Sequence, residues 1–159
     1  MNLEMQAELL RRYPMFFRQP GKRLIDPDVI SGLENQLLDD VAPFDEHGIE
    51  CGDGWFALID RLSRACENEI ETLMAQGVPK ERWPRIAQIK EKFGSLRFYV
   101  RGPLSDDLRA QIVQAEHEDS LCICERCGAV GKLREGRWRR TYCDNCDEGW
   151  NAHSFGGIA

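Results

Sequence analysis

Two Cys-x-x-Cys pairs, Cys124/Cys127 and Cys143/Cys146, stand fifteen residues apart near the end of a 159-residue chain. Two residues between thiols let both sulfurs turn toward one point, and Gly128, directly after the first pair, suits the positive φ of such a knuckle. Four thiolates converging from two knuckles are the donor set of a tetrahedral Zn²⁺ with bonds of ~2.3 Å. A site filled by four thiolates keeps no open position, so the pattern predicts a structural ion and not a source of activated water. Two neighbours leave the ligand set open: Cys122 lies two residues before the first knuckle and His153 seven after Cys146, and either can replace one of the four. The simpler expectation makes Cys122 a buried thiol and His153 a tail residue.

The fifteen-residue spacer is long enough to run out and back as a hairpin, with strands near Lys132–Arg134 and Arg137–Tyr142 turning at Glu135-Gly136. It holds five cations to one acid. Lys132, Arg134, Arg137, Trp138, Arg139 and Arg140 thus interleave charge with a flat ring, the combination that grips nucleic acid through phosphates and bases. A second basic stretch, residues 80–101, carries seven bases against two acids. There Arg97, Tyr99 and Arg101 alternate with Leu96, Phe98 and Val100, and Lys90 and Lys92 stand on the opposite strand. The plainer alternative for both is a solvated sheet face, with Arg stems lying over Trp138.

Catalytic patterns are scarce. The run from Asp45 to Asp53 gathers Asp45, Glu46, His47, Glu50, Cys51 and Asp53, the one stretch suited to a hydrolytic or cation site; its plain alternative is an acidic loop ending in a helix cap. No metal-protease frame, phosphate-cradling loop, dinucleotide fingerprint or nucleophile elbow is present. A nuclease built on paired Cys-x-x-Cys knuckles needs a histidine in the spacer hairpin, which has none. His117, between Glu116 and Glu118, reads as a solvated helix residue.

The elements that must position these residues follow from periodicity. Leu3, Ala7 and Leu10 predict a first helix ending near Tyr13, ahead of Pro14, with Met15, Phe16 and Phe17 packed under the body. After a polar turn at Gln19-Pro20-Gly21, Asp26 to Asp40 predicts a second helix, capped by Asp26 or Asp28, burying Val29, Ile30, Leu33, Leu37 and Leu38. Trp55, Leu58, Ile59, Leu62, Cys66, Ile70, Leu73 and Met74 recur at three and four residues and predict the central core helix, capped by Asp53, stopped at Gly77, with Cys66 as filler. At 85–101 the period changes to two around Phe93-Gly94-Ser95, predicting a β-hairpin with one apolar and one cationic face. Ser105 then opens a helix carrying Leu108, Ile112 and Ala115 inward to about Asp119.

Composition sets the outer bounds. With 42% hydrophobic and 30% charged residues, the chain can bury a core without disulfides. No apolar run approaches the ~20 residues that span a bilayer, and the first residues lack a secretory pattern. Seven cysteines without a leader predict a reducing, cytoplasmic setting. The net charge of −6 argues against coating nucleic acid through bulk charge, although a local basic face escapes that argument. Residues 26–71 hold thirteen acids against two bases. Such a face suits a basic groove on another protein, or the molecule's own basic hairpins.

The strings GIECGDGWFALID (48–60), IKEKFGSLRFY (89–99) and CERCGAVGKLR (124–134) resemble a group of small bacterial, phage and prophage proteins that join such a helix and hairpin to a C-terminal cysteine cluster. The resemblance covers about two thirds of the chain and carries no settled activity. It implies a bacterial host cell and makes interference with host machinery or defence a possible role. Together these readings predict an α+β protein: a helical body over residues 1–121 with the 85–101 hairpin, and a treble-clef or zinc-ribbon-like finger over 122–159. The expected function is non-enzymatic binding of nucleic acid or nucleoprotein by a basic hairpin, with no membrane and no small-molecule substrate. An inhibitor or adaptor docking its acidic face on a basic host protein is the alternative, and hydrolysis by Asp45, His47, Glu50 and Asp53 stands third.

Overall fold

A computed structural model describes residues 1–18, 43–136 and 138–155, with no account of the side chains of Pro43 and 151–155. The second helix expected at Asp26–Asp40, the turn before it, Arg137 and the side chain of His153 lie outside the described residues. The remaining chain is mixed α+β. Helix α1 (Leu3–Arg12) leads, followed by α2 (Pro43–His47), strand β1 (Ile49–Glu50) and the long helix α3 (Phe56–Ala75). Strands β2 (Arg85–Lys92) and β3 (Ser95–Arg101) form the expected hairpin. Helix α4 (Asp106–Gln114) then runs through a π-helical turn (Ala115–Asp119) into the short α5 (Ser120–Cys122). Strands β4 (Lys132–Arg134) and β5 (Arg140–Tyr142) and helix α6 (Asp144–Phe155) complete the described chain.

The core forms where α3 crosses the inner face of the hairpin. Trp55, Ile59, Leu62, Cys66 and Ile70 from the α3 side meet Ile86, Ile89, Leu96 and Phe98, and Leu108, Ile112 and Ala115 close one flank. Each large apolar side chain so buried contributes about 1.5–3 kcal/mol. Phe16 and Phe17 join this core as expected, Phe16 stacking on Phe98 with ring centroids 5.7 Å apart. Gly77, at φ +74°, ends α3 where its spacing predicts.

The first helix buries a different face from the one predicted. Leu3 is 83% exposed and Leu10 38%, whereas Leu9 and Tyr13 are buried. At about 100° per residue, Leu3, Ala7 and Leu10 share one side, and Met5, Leu9 and Tyr13 form a second stripe centred about 130° away. The second stripe prevails because it continues into Phe16 and because the Tyr13 hydroxyl donates to Asp60 on α3 at 2.8 Å. Glu67, nearly buried on the same helix, accepts from the backbone N–H groups of Met15 (3.1 Å) and Phe16 (2.8 Å) and fixes the turn after α1.

Two further features escaped the periodicity argument. β1 adds to the hairpin in parallel, Ile49 opposite Ile89 and Glu50 opposite Lys90, giving the order β1-β2-β3. The outer edge of β3 is covered by the α4–α5 segment, whose side chains replace a missing strand: Leu96 N–H donates to Ser120 Oγ (3.2 Å) and Phe98 N–H to Glu116 Oε1 (2.6 Å). An edge satisfied in this way is closed to pairing with another chain.

Candidate metal centre

The first knuckle is a tight backbone turn. Cys124 N–H donates to the Ala129 carbonyl at 2.7 Å, Gly128 N–H donates to the Cys124 carbonyl at 2.8 Å, and Gly128 takes φ +78° as its position requires. The second knuckle opens α6, with Asp147 N–H on the Cys143 carbonyl at 3.0 Å. Between them β4 and β5 pair antiparallel, Lys132 opposite Tyr142 and Arg134 opposite Arg140. The result brings the sulfurs of Cys124, Cys127, Cys143 and Cys146 within 4.8 Å of one another.

That spacing fits a metal. A tetrahedral ion with sulfur bonds of ~2.3 Å sets its ligands about 3.8 Å apart, and Cys127 and Cys143 stand at 3.7 Å. The four cysteines can therefore hold a metal ion. Burial works against a charged Cys124, but backbone N–H groups of Cys143, Cys127 and Arg126 aimed at its sulfur prevail, and its thiol lies at about 7. Cys146 is pushed up to about 12, by burial first and then by the neighbouring thiols. Cys122, expected to be buried, is exposed and stands outside the cluster.

The knuckle is mounted directly on the body. The loop Cys51–Trp55 meets it through Glu125: Gly54 N–H donates to the Glu125 carbonyl (2.7 Å), and Gly52 N–H to its carboxylate Oε1 (2.9 Å). The buried indole of Trp55 donates to the Ile123 carbonyl at 2.9 Å. A Cβ on Gly54 would lie 2.1 Å from the Cys124 carbonyl oxygen and 2.4 Å from Gly128 N, so only glycine fits. Burial raises the Glu125 carboxyl above its ordinary range, against the Gly52 N–H, which favours the charged form. Asp53 does not cap the helix that follows. Its carboxylate takes the backbone N–H and side-chain amide of Asn2 at 2.7 and 2.8 Å, which hold it below the ordinary aspartate range and tie down the start of α1.

The two hairpins also touch. Thr141 Oγ1 donates to the Gly94 carbonyl at 2.6 Å, and a Cβ on Gly94 would come within 2.4 Å of Leu133 and 3.2 Å of Arg140 N. The spacer's second strand was expected to begin at Arg137. β5 instead starts at Arg140, whose backbone packs on Gly94, and Trp138 and Arg139 fall in the connection. Both are exposed, Trp138 by 70%.

The cations proposed from sequence divide into two sets. Arg134 reaches Asp144 at 2.6 Å and Asp147 at 3.8 Å, Lys132 reaches Asp144 at 3.1 Å, and Arg140 reaches Asp147 at 2.7 Å. Arg140 also covers the rings of Tyr142 and Trp150 at 5.6 and 5.3 Å. Hydrogen bonds from Arg134 and Lys132 hold Asp144 below the ordinary carboxylate range. These three cations brace the hairpin against α6. On β3, Arg97 donates to Ser95 Oγ and the Leu96 carbonyl, while Tyr99 is 43% exposed beneath Lys90. Arg101 stands opposite Arg85 at the far end of the sheet. Arg139 and Trp138 are the members of the spacer set that face solvent without an ion pair or ring contact among the described residues.

Sequence reasoning missed Phe93, which sits beside them. With Gly94 it forms a two-residue turn in which both φ angles are positive, +57° and +82°. Asn-Gly is the pair that suits such a turn. A phenylalanine in the left-handed region costs about 1–2 kcal/mol, and at 65% exposure it recovers little by burial. The signal was present in the string Phe93-Gly94, an aromatic where a turn asks for Asn.

The acidic run does not converge. His47 faces Glu46 at 3.6 Å with both exposed, Gln88 donates to Glu50 at 3.1 Å, and Asp53 holds Asn2. Burial pushes the Cys51 thiol up to about 12.

No protein-family model matches this chain, and no curated protein or solved structure matches it either. Among the described residues no helix is long and apolar enough to cross a membrane.

Proposed function

We propose that Cys124, Cys127, Cys143 and Cys146 hold one structural Zn²⁺ in a treble-clef-like finger, and that this non-enzymatic protein binds nucleic acid or nucleoprotein through the surface the finger builds. The observation that carries the reading is the buried contact of Thr141 with Gly94. Thr141 lies on β5, two residues from a zinc ligand, and Gly94 is at the tip of the other hairpin, so fixing the cysteines fixes the spacer hairpin beside that tip. Exposed cations and rings at the tips supply the chemistry: Lys92, Arg139, Trp138 and Phe93. The cations that brace α6 serve the scaffold instead. A bacterial or phage cytoplasmic setting is proposed on the sequence resemblance alone.

Two measurements test this. Elemental analysis of protein purified without chelator should give about one zinc per chain; less than half of that overturns the metal reading. A mobility shift at low salt should show binding that weakens as salt rises and is lost in the Lys92→Glu, Arg139→Glu double variant. A zinc-loaded chain that retards neither DNA nor RNA overturns the binding reading.

A further inference from the structure

The tips of the two hairpins enclose an open cleft of about 580 Å³, lined by Glu91, Lys92, Phe93, Gly136, Trp138 and Arg139. That volume is within the range of about 300–1,000 Å³ usual for ligand sites. The Phe93 and Trp138 side chains are 65% and 70% exposed. Lys92 stands with its ammonium 5.4 Å from the Phe93 ring, and Arg139 is exposed. The single acid of the lining is already used, since Glu91 Oε1 accepts from Gly94 N–H at 2.5 Å and shapes the turn.

Phe93 is the informative residue. Its left-handed backbone is a conformation that Asn or Gly adopts more cheaply, and its ring packs into no core. Strain held in an exposed aromatic at the mouth of a cleft points to a ligand, because folding gains from it only a surface contact with Lys92. The ligand must offer flat faces to two rings and negative charge to two cations. Bases and phosphates do so together, and a base can reach the rings only when it is not stacked inside a duplex.

Resting on the nucleic-acid reading above, we infer that the cleft is a stacking subsite for single-stranded nucleic acid: Phe93 and Trp138 take bases, while Lys92 and Arg139 take the flanking phosphates. Selectivity for single strands follows from the rings, and salt sensitivity from the cations.

The test uses the full zinc-loaded chain and fluorescence anisotropy with labelled oligothymidine of about twelve nucleotides, the matching duplex, and oligouridine to separate DNA from RNA. Single strands should bind more tightly than the duplex. Trp138→Ala and Phe93→Asn should each weaken single-strand binding by roughly 5- to 150-fold. Phe93→Asn should at the same time leave the urea midpoint unchanged or raised, since it relieves the turn, so lost binding there is not lost folding. Wild-type binding that both ring variants leave intact, or equal affinity for duplex and single strand, overturns the stacking subsite while the broader binding reading stands. Absence of any binding by the wild-type chain overturns both.

Discussion

The hydroxyl of Thr141 donates to the carbonyl of Gly94 across 2.6 Å, in a contact where Thr141 is wholly buried. One hydrogen bond thus joins the hairpin between the two cysteine knuckles to the tip of the hairpin on the main sheet. Thr141→Val keeps the shape but leaves the carbonyl unpaired in a dry place, which costs about 1–3 kcal/mol. Urea unfolding should show that loss, and Thr141→Ser should recover part of it. A Val variant as stable as the parent would mean that the two tips are held together by something else.

Metal removal should act unevenly. The body buries a continuous core from α1, α3, the hairpin and α4 that draws on none of the four clustered cysteines. Chelation should therefore strip amide protection from residues 122–150 while α3 and β2–β3 keep theirs, read by hydrogen exchange with mass spectrometry. Ligation must also displace the proton of Cys146, whose thiol lies at about 12. Zinc affinity should consequently rise with pH, and a pH-independent affinity would count against thiolate ligation. Uniform loss of protection across the chain would show instead that the body depends on the metal.

Gly54→Ala inserts a methyl group 2.1 Å from the Cys124 carbonyl and 2.4 Å from Gly128 N, both backbone atoms of the knuckle. Neither can swing aside as a side chain would. The variant should lose at least about 1–3 kcal/mol of stability and bind zinc more weakly, because relief requires the knuckle to move off the Cys51–Trp55 loop. Zinc competition against a chromogenic chelator reads the second effect, and unchanged affinity would show that the knuckle forms independently of its seat.

Much of this arrangement was legible in the sequence where a pattern is local. The spacing of Cys124, Cys127, Cys143 and Cys146 announced the cluster, the alternation from Leu96 to Val100 the hairpin, and the Leu58–Ile70 stripe the core helix. What failed depends on contacts between distant segments. Leu3/Ala7/Leu10 and Met5/Leu9/Tyr13 are equally good stripes until Asp60 and Phe98 are in place. Gly52 and Gly54 carry no local signal, and only the arrival of Glu125 shows them to be points of close approach. Asp53 resembles a cap until Asn2 claims it. The spacer cations read as a free basic face because Asp144 and Asp147, the acids they meet, lie beyond the second knuckle's first cysteine and become neighbours only when α6 folds back.

The acid limb of stability should run through Asp60. Burial alone would raise its carboxyl, but the Tyr13 hydroxyl and the Arg12 guanidinium, each at 2.8 Å, overcome this and hold it below the ordinary aspartate range. A carboxyl that is more acidic folded than unfolded gives stability that is complete above its unfolded value and lost as pH falls through its folded one. Asp53, lowered in the same direction by Asn2, adds to the same limb. Urea midpoints taken between about pH 5 and pH 2 should fall steadily for the parent chain. Asp60→Asn should start lower, by about 1.5–3 kcal/mol for hydrogen bonds to a charged group, and then decline less, because the proton that unseats α1 from α3 has no carboxylate left to bind. Parallel acid limbs in parent and variant would remove Asp60 from that role, leaving α1 held by the Asn2–Asp53 contact, the Glu67 carboxylate and the apolar contacts of Leu9 and Phe16.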